Sequence, residues 1–306
     1  MSQQTIDTTT IDSQYGVPDH LEHRLQTQDG RTLAVAEWGD PNGKPVITFH
    51  GTPGSRIGYW TPEPTIWARF GLRRFSFDRP GYGASSRLPE RGIAVIADDA
   101  AELLDHLGLG TVHTSGGSGG GPHVLAFAAR HPERVQAVAV IVGGTPLEEE
   151  DIAGLIQINR DAWYAAREGW QALYDLLAPM RDEVLKDPLA GFKGLMDAAP
   201  PSDKAVMEDP EWQRVLVESV TEAFRPGAEG WVDEGMALTR DWDFDVADVR
   251  SSVTWWHGDH DANAPLAPVH RVIERMHGVD LRVWTDAGHL EPYHRYEEIL
   301  GELLSR

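Results

Sequence analysis

Short apolar or β-branched runs alternate with longer amphipathic stretches along most of this chain. The runs are Pro45–Gly51, Arg73–Gly83, Thr111–Gly116, Val135–Gly144, Ser251–Asp259 and Asp280–His289, most of them closed by glycine, proline or aspartate. Runs of this length between turn signals predict buried strands. Between two of them, Ile93, Ile96, Ala100, Leu103, Leu104 and Leu107 share a face at helical spacing, and Gly108 follows as a stop. Gly121–Val135, Ala264–Gly278 and His294–Arg306 also read as helices. Repeated strand–helix alternation predicts an α/β fold, a mostly parallel central sheet flanked by helices. Upstream, His23–Asp40 reads as two strands joined at Asp29–Gly30, a hairpin that adds an antiparallel edge.

The alternation stops after Gly144 and resumes near Val249. In between lie amphipathic helical segments, broken at Asp197–Asp203 and Phe224–Gly230. The expectation is a helical cap, 145–249, inserted into a core domain made of 17–144 and 250–306. Residues 1–16 lack an apolar period and are expected to form a flexible arm. Trp163, Trp170, Trp212, Trp231 and Trp242 fall in the insertion. Large aromatics bury the most area, so they are expected mainly in its own core, with one or two facing a ligand.

Composition narrows the function classes. The chain has no cysteine, which excludes disulfides, thiolate metal sites and cysteine nucleophiles. Its polar start lacks the basic and apolar regions of a signal peptide, and no stretch is long and apolar enough to span a membrane. A cytoplasmic protein is expected. Acidic residues outnumber basic ones 48 to 27, a net charge of −21. That surface repels nucleic acid and anionic lipid and mostly serves solubility. The expected partner is a small molecule, neutral and partly apolar; monomer and homodimer both stay open. Neither an H-E-x-x-H spacing nor a Walker ending appears, so no metal or cofactor is expected.

Candidate chemistry centres on Ser118, which stands among Gly116, Gly117, Gly119, Gly120 and Gly121. The pentapeptide matches G-x-S-x-G between a predicted strand and a predicted helix, the setting of a nucleophile elbow. The helix N-terminus behind Ser118 leaves free N–H donors, and the N–H of Gly119 is the first candidate to hold an oxyanion. The second is the N–H of Thr52, in the open loop His50–Arg56 after an earlier strand. A serine hydroxyl needs a base and an orienting acid, which follow the serine in this motif with the histidine last. His289 follows the last predicted strand and is the candidate base. His257, His260 and His270 crowd the acid loop, and His294 opens the final helix. Asp261 is favoured as the acid over Asp259, which could brace the loop, and Asp286, close to His289 in sequence. His50 and His123 read as packing residues, and Asp78 and Arg79 as braces of loops.

Five landmarks stand in order: HGTPGS (50–55), FDRPGYGAS (77–85), GGSGGG (116–121), HGDHDANAP (257–265) and DAGHLEP (286–292). From about Leu21 to the C-terminus the chain resembles the α/β-hydrolase fold family. The resemblance implies a triad of Ser118, Asp261 and His289, with an oxyanion hole from Thr52 and Gly119. The closest likeness is to cap-bearing esterases, lactonases and aminopeptidase-like members. Family epoxide hydrolases and haloalkane dehalogenases have aspartate where Ser118 stands, and proline iminopeptidases commonly have tryptophan in place of Gly119. The HGGG motif of another esterase branch is replaced by HGTPG. The expected function is hydrolysis of a small carboxylic ester or lactone through an acyl-enzyme. Peptide-bond cleavage, carbon–carbon hydrolysis, perhydrolysis and cyanohydrin lysis are the alternatives on the same triad. A non-catalytic ligand-binding protein is the alternative of a different class.

Overall fold

The computed structural model describes residues 7–11, 20–61, 65–192, 197 and 199–306. Its strands are β1 (Asp7–Ile11), β2 (His20–Gln26), β3 (Thr32–Gly39), β4 (Lys44–Phe49), β5 (Leu72–Phe77), β6 (Val112–Gly117), β7 (Val135–Ile141), β8 (Ser252–Gly258) and β9 (Asp280–Trp284). They form one sheet in the order β1-β2-β3-β5-β4-β6-β7-β8-β9. Pairing is antiparallel from β1 to β5 and parallel from β5 through β9.

Period-two alternation decides which side chains enter which core. On β7, Val138 and Val140 face one apolar cluster, while Ala137, Ala139 and Ile141 face the other. Helices α2 (Val95–Leu107), α3 (Gly120–Arg130) and α11 (Leu266–Ile273) cover the first face. The short α1 (Ile66–Arg69) and α12 (Pro292–Leu304) cover the second. The α2 stripe lies where its spacing puts it: Ile96, Leu103 and Leu104 are at most 1% exposed. Burial of each such side chain contributes about 1.5–3 kcal/mol. Gly108 ends α2 in the left-handed conformation, at φ 67°.

Between β7 and β8 the regular structure is helical: α4 (Glu149–Ala153), α5 (Gln157–Glu168), α6 (Trp170–Lys186), α7 (Pro188–Gly191), α8 (Pro201–Met207), α9 (Pro210–Ala223), α10 (Glu229–Leu238) and a 3-10 turn at Val246–Asp248. Among the described residues, no helix is long and apolar enough to cross a membrane.

One expectation needs correction and another is met only in part. Asp7–Ile11, read as part of a flexible arm, pairs antiparallel with β2; the rest of 1–16 lies outside the described residues. Edge pairing needs backbone and β-branched residues, which Thr8, Thr9, Thr10 and Ile11 supply, rather than an apolar period. The tryptophans of the insertion divide between packing and cavity walls: Trp170 and Trp231 pack against its apolar clusters, while Trp163, Trp231 and Trp242 border one cavity and Trp212 another. Trp170 stacks on Tyr174 and donates from Nε1 to Asp233 at 2.7 Å. An inward stripe on a helix can face a void as readily as a neighbour, and periodicity does not tell the two apart.

Candidate active site

The turn between β6 and α3 is held open by glycines and closed by hydrogen bonds. A Cβ on Gly116 would collide with the carbonyl oxygen of Gly120, and one on Gly120 with that of Phe49. Ser118, between them, takes a positive φ of 52°. That conformation costs a non-glycine residue roughly 1–2 kcal/mol. The main chain offsets it: Ser118 N donates to Ile141 O at 2.9 Å, and Ser118 O accepts from Gly121 N at 2.9 Å and Gly144 N at 3.0 Å.

His289 lies 3.0 Å from the Ser118 hydroxyl through Nε2, and 2.7 Å from Asp261 Oδ2 through Nδ1. An ionised carboxylate only accepts, so Nδ1 carries the proton and Nε2 is left to accept from the serine. Asp261 is fixed by its own loop: Oδ1 accepts the N–H of Asn263 at 2.8 Å and of Ala264 at 2.9 Å. Burial pulls the His289 pKa down, but the charge and hydrogen bond of Asp261, with the charge of Asp203, outweigh it and leave the pKa raised. The other histidines lie elsewhere. His257 is buried, with Nε2 bonded to Ala264 O at 2.7 Å, while His260, His270 and His294 are exposed. Asp286 is exposed, and Asp259 accepts from Ala287 N at 3.4 Å and lies 3.9 Å from His260 Nδ1.

Thr52 and Gly119 are adjacent: a Cβ on Gly119 would sit 3.4 Å from Thr52 N. Among the described residues, neither N–H donates to a protein acceptor. Below Thr52 lies a buried charge cluster. Glu234 Oε1 accepts from Thr52 Oγ1 at 3.0 Å and from His123 Nε2 at 3.0 Å and forms an ion pair with Arg79 Nη2 at 2.8 Å, and Arg91 pairs with Oε2. Arg79 also donates to the carbonyls of His50 and Gly51 and to Thr52 Oγ1. Burial raises the Glu234 pKa, yet Arg79, Arg91 and His123 hold it well below the ordinary carboxylate range. Burial, with the nearby arginines, takes His123 down to about 4, so it is neutral. Asp78 and Arg79 both brace loops, but with other partners than each other: Asp78 pairs with Arg56 at 2.6 Å.

Two cavities, of about 580 Å³ and about 210 Å³, meet at Ser118 and share Thr52, Phe192, Asn263 and His289 as walls. The larger is bordered by Leu173, Leu177, Met180, Trp163, Trp231 and Trp242, and the smaller by Tyr59, Trp60, Trp212, Tyr293 and Tyr296. Among the described residues, no three His, Asp or Glu side chains are grouped so as to hold a metal ion.

The profile of the alpha/beta hydrolase fold matches residues 44–262, most of the chain. The chain belongs to the α/β-hydrolase fold family. A bifunctional esterase/perhydrolase from Acinetobacter calcoaceticus is 34% identical over 125 residues, covering 40% of this chain and 44% of that protein. The chain therefore spans less than half the length of the curated relatives it matches at this level. A hydrolase from Pseudomonas aeruginosa superposes with a TM-score of 0.66 at 20% identity, covering 93% of this chain and 98% of the other. The enol-lactonase from Burkholderia xenovorans does so at 0.63 and 19% identity, covering 92% and 100%.

In this chain the structure brings Ser118, His289 and Asp261 into one hydrogen-bonded line and sets Thr52 and Gly119 beside it. Two acids were not anticipated in their positions. Glu234, on a helix of the insertion, anchors Thr52. The Asp203 carboxylate, which no motif marks, accepts the backbone N–H of His289 at 2.8 Å. It stands in a Pro-Pro-Ser-Asp helix start, a signal for capping rather than for a partner 86 residues away.

Proposed function

We propose that this hydrolase cleaves a carboxylic ester or lactone through an acyl-enzyme, with Ser118 as nucleophile, His289 as base and Asp261 as orienting acid. The observation that carries the reading is the continuous line from the Ser118 hydroxyl through His289 to Asp261, at the junction of two cavities. His289 Nε2 takes the serine proton as Oγ attacks the carbonyl carbon. Asp261 fixes the tautomer and stabilises the imidazolium through a charge-assisted bond. The N–H groups of Thr52 and Gly119 receive the oxyanion, each contributing about 3 kcal/mol to the transition state. Collapse expels the alkoxide, which takes the proton from His289. Water, deprotonated by the same imidazole, then releases the acid and restores the serine hydroxyl.

The two chambers suit a substrate with a group on each side of the reacting carbonyl. A cavity of about 150 Å³ suffices for benzene, so the smaller chamber, about 210 Å³, accommodates a ring or a short chain. The larger, about 580 Å³, takes a bulkier apolar group. The insertion 145–249 serves as the cap that supplies most of the larger chamber's walls.

Amine recognition is less well supported. Glu218, Glu222, Asp233 and Glu234 are each paired with an arginine, and Glu208 is exposed. A purely binding role gives no reason to hold Ser118 at positive φ within reach of His289. The decisive experiment is Ser118→Ala. Turnover of p-nitrophenyl esters of graded acyl length and labelling by a fluorophosphonate should both vanish, with the circular dichroism unchanged. Turnover at the wild-type rate would end the proposal.

A further inference from the structure

We propose that Asp203, carried by the helical insertion, is a positioning residue for His289: it grips the backbone of the histidine loop and adds a second negative charge beside the imidazole. This rests on the acyl-transfer reading above. The loop between β9 and α12 has neither ladder nor helix to satisfy its amides. Three successive N–H groups there are taken by the first turn of α8. Gly288 N donates to Ser202 Oγ at 3.0 Å, His289 N to Asp203 Oδ2 at 2.8 Å, and Leu290 N to Asp203 Oδ1 at 3.0 Å. Leaving such a buried donor unmade costs about 1–3 kcal/mol.

The approach is close enough to constrain the loop sequence. A Cβ on Gly288 would lie 2.5 Å from both carboxylate oxygens of Asp203 and from Pro200 Cγ. Glycine at 288 thus makes room for a group from the insertion, an independent sign that the two segments dock in this register. Asp203 is also unlike its neighbours in charge. It is 1% exposed, yet among the described residues no arginine or lysine pairs with it, whereas Glu218, Glu222, Asp233 and Glu234 each have an arginine. Burial raises its pKa, the two amide donors and the His289 charge oppose this, and Asp261 adds to it.

The groups facing His289 are therefore Asp261 from the loop after β8, Asp203 from the insertion, Ser118 from the elbow, and the edge of Trp60. His257, 3.7 Å from Asp261, is the remaining titratable neighbour, and burial lowers its pKa. When the serine proton moves to His289, the imidazolium is stabilised by both carboxylates. The loop amides, bound to Asp203, keep Nε2 aimed at Oγ. Through this contact the insertion governs the base as well as the substrate chamber.

The test is Asp203→Asn, with kcat/KM for p-nitrophenyl acetate measured against pH. The amide keeps the shape but loses the charge and turns one N–H toward a loop N–H. The expected result is a fall in kcat of about 10- to 100-fold from loss of alignment. The acid limb of kcat/KM should also move to lower pH by about half to one unit, because a charge favouring the imidazolium is gone. A wild-type acid limb, whatever the rate, would overturn the proposal, since a merely structural role leaves the limb in place. If Asp203→Asn does not fold by circular dichroism, Ser202→Ala decides. It removes one of the three bonds and keeps the charge, so kcat should fall several-fold with the limb unmoved; a wild-type kcat would overturn the proposal. Fluorophosphonate labelling of wild-type Ser118 is run alongside. Without labelling the acyl-transfer reading fails and takes this proposal with it; with labelling and unchanged variants, only this proposal fails.

Discussion

Replacing Glu234 by glutamine tests whether the buried cluster below Thr52 is held by charge or only by shape. Glu234, Arg91 and Arg79 have fully buried side chains, and His123 is neutral there. One carboxylate thus faces two guanidinium groups, all with fully buried side chains. Glutamine keeps the length and one acceptor for Thr52 Oγ1 but leaves both arginines without a counter-charge. Removing one partner of a buried pair costs about 3–5 kcal/mol, because the remaining ion stays desolvated. The assay is urea unfolding followed by tryptophan fluorescence and circular dichroism. With an m-value of about 4 kcal/mol/M, on the rule that the slope grows with chain size, the midpoint should fall by about 1 M. The pH dependence has a definite sign. The native pKa of Glu234 is depressed. Its contribution is complete above the ordinary carboxylate range and is lost as pH falls toward the native value. The gap between wild type and variant should therefore narrow on acidification. An unchanged midpoint at neutral pH would refute the argument, and so would a gap that widens in acid.

Asp261→Asn should lower kcat about 10³- to 10⁴-fold at neutral pH, since an amide at that position favours the wrong imidazole tautomer; steady-state ester hydrolysis checks it, and a loss under tenfold would shift the acid role to another residue. The wild-type kcat/KM should rise with pH through an apparent pKa above about 6.5, the ordinary histidine value, because the base works deprotonated and its pKa is raised. A profile with its acid limb below that value would contradict the reading of Asp261 and Asp203 as charges acting on His289.

Much of this site was legible because its signals are local. The elbow glycines are needed within a few residues of Ser118, since the strand and helix they join cannot approach otherwise. Asp261 could be preferred over Asp259 and Asp286 from its depth in a loop, and the structure gives it the short bond to His289. The acids on the helices between β7 and β8 were harder. Acids on an amphipathic helix read as solvated, yet Glu234 and Asp233 are buried against Arg91 and Arg87 from the segment between β5 and α2. Likewise the acid excess is only partly a surface property, since Asp78, Asp99 and Asp203 are also at most 1% exposed.

What the amino-acid order alone determined was the strand–helix alternation, the strained serine turn, and the succession of serine, acid and histidine at three strand ends. Each is written in spacing and in the steric needs of nearby residues. Only the tertiary structure decided which side chains from the insertion reach the core. Asp203 meets His289 across 86 residues and Glu234 meets Thr52 across 182. A contact at such separation is set by how whole helices pack, and it leaves no period in the sequence. The same packing makes the difference between a tryptophan that fills a core and one that walls a chamber.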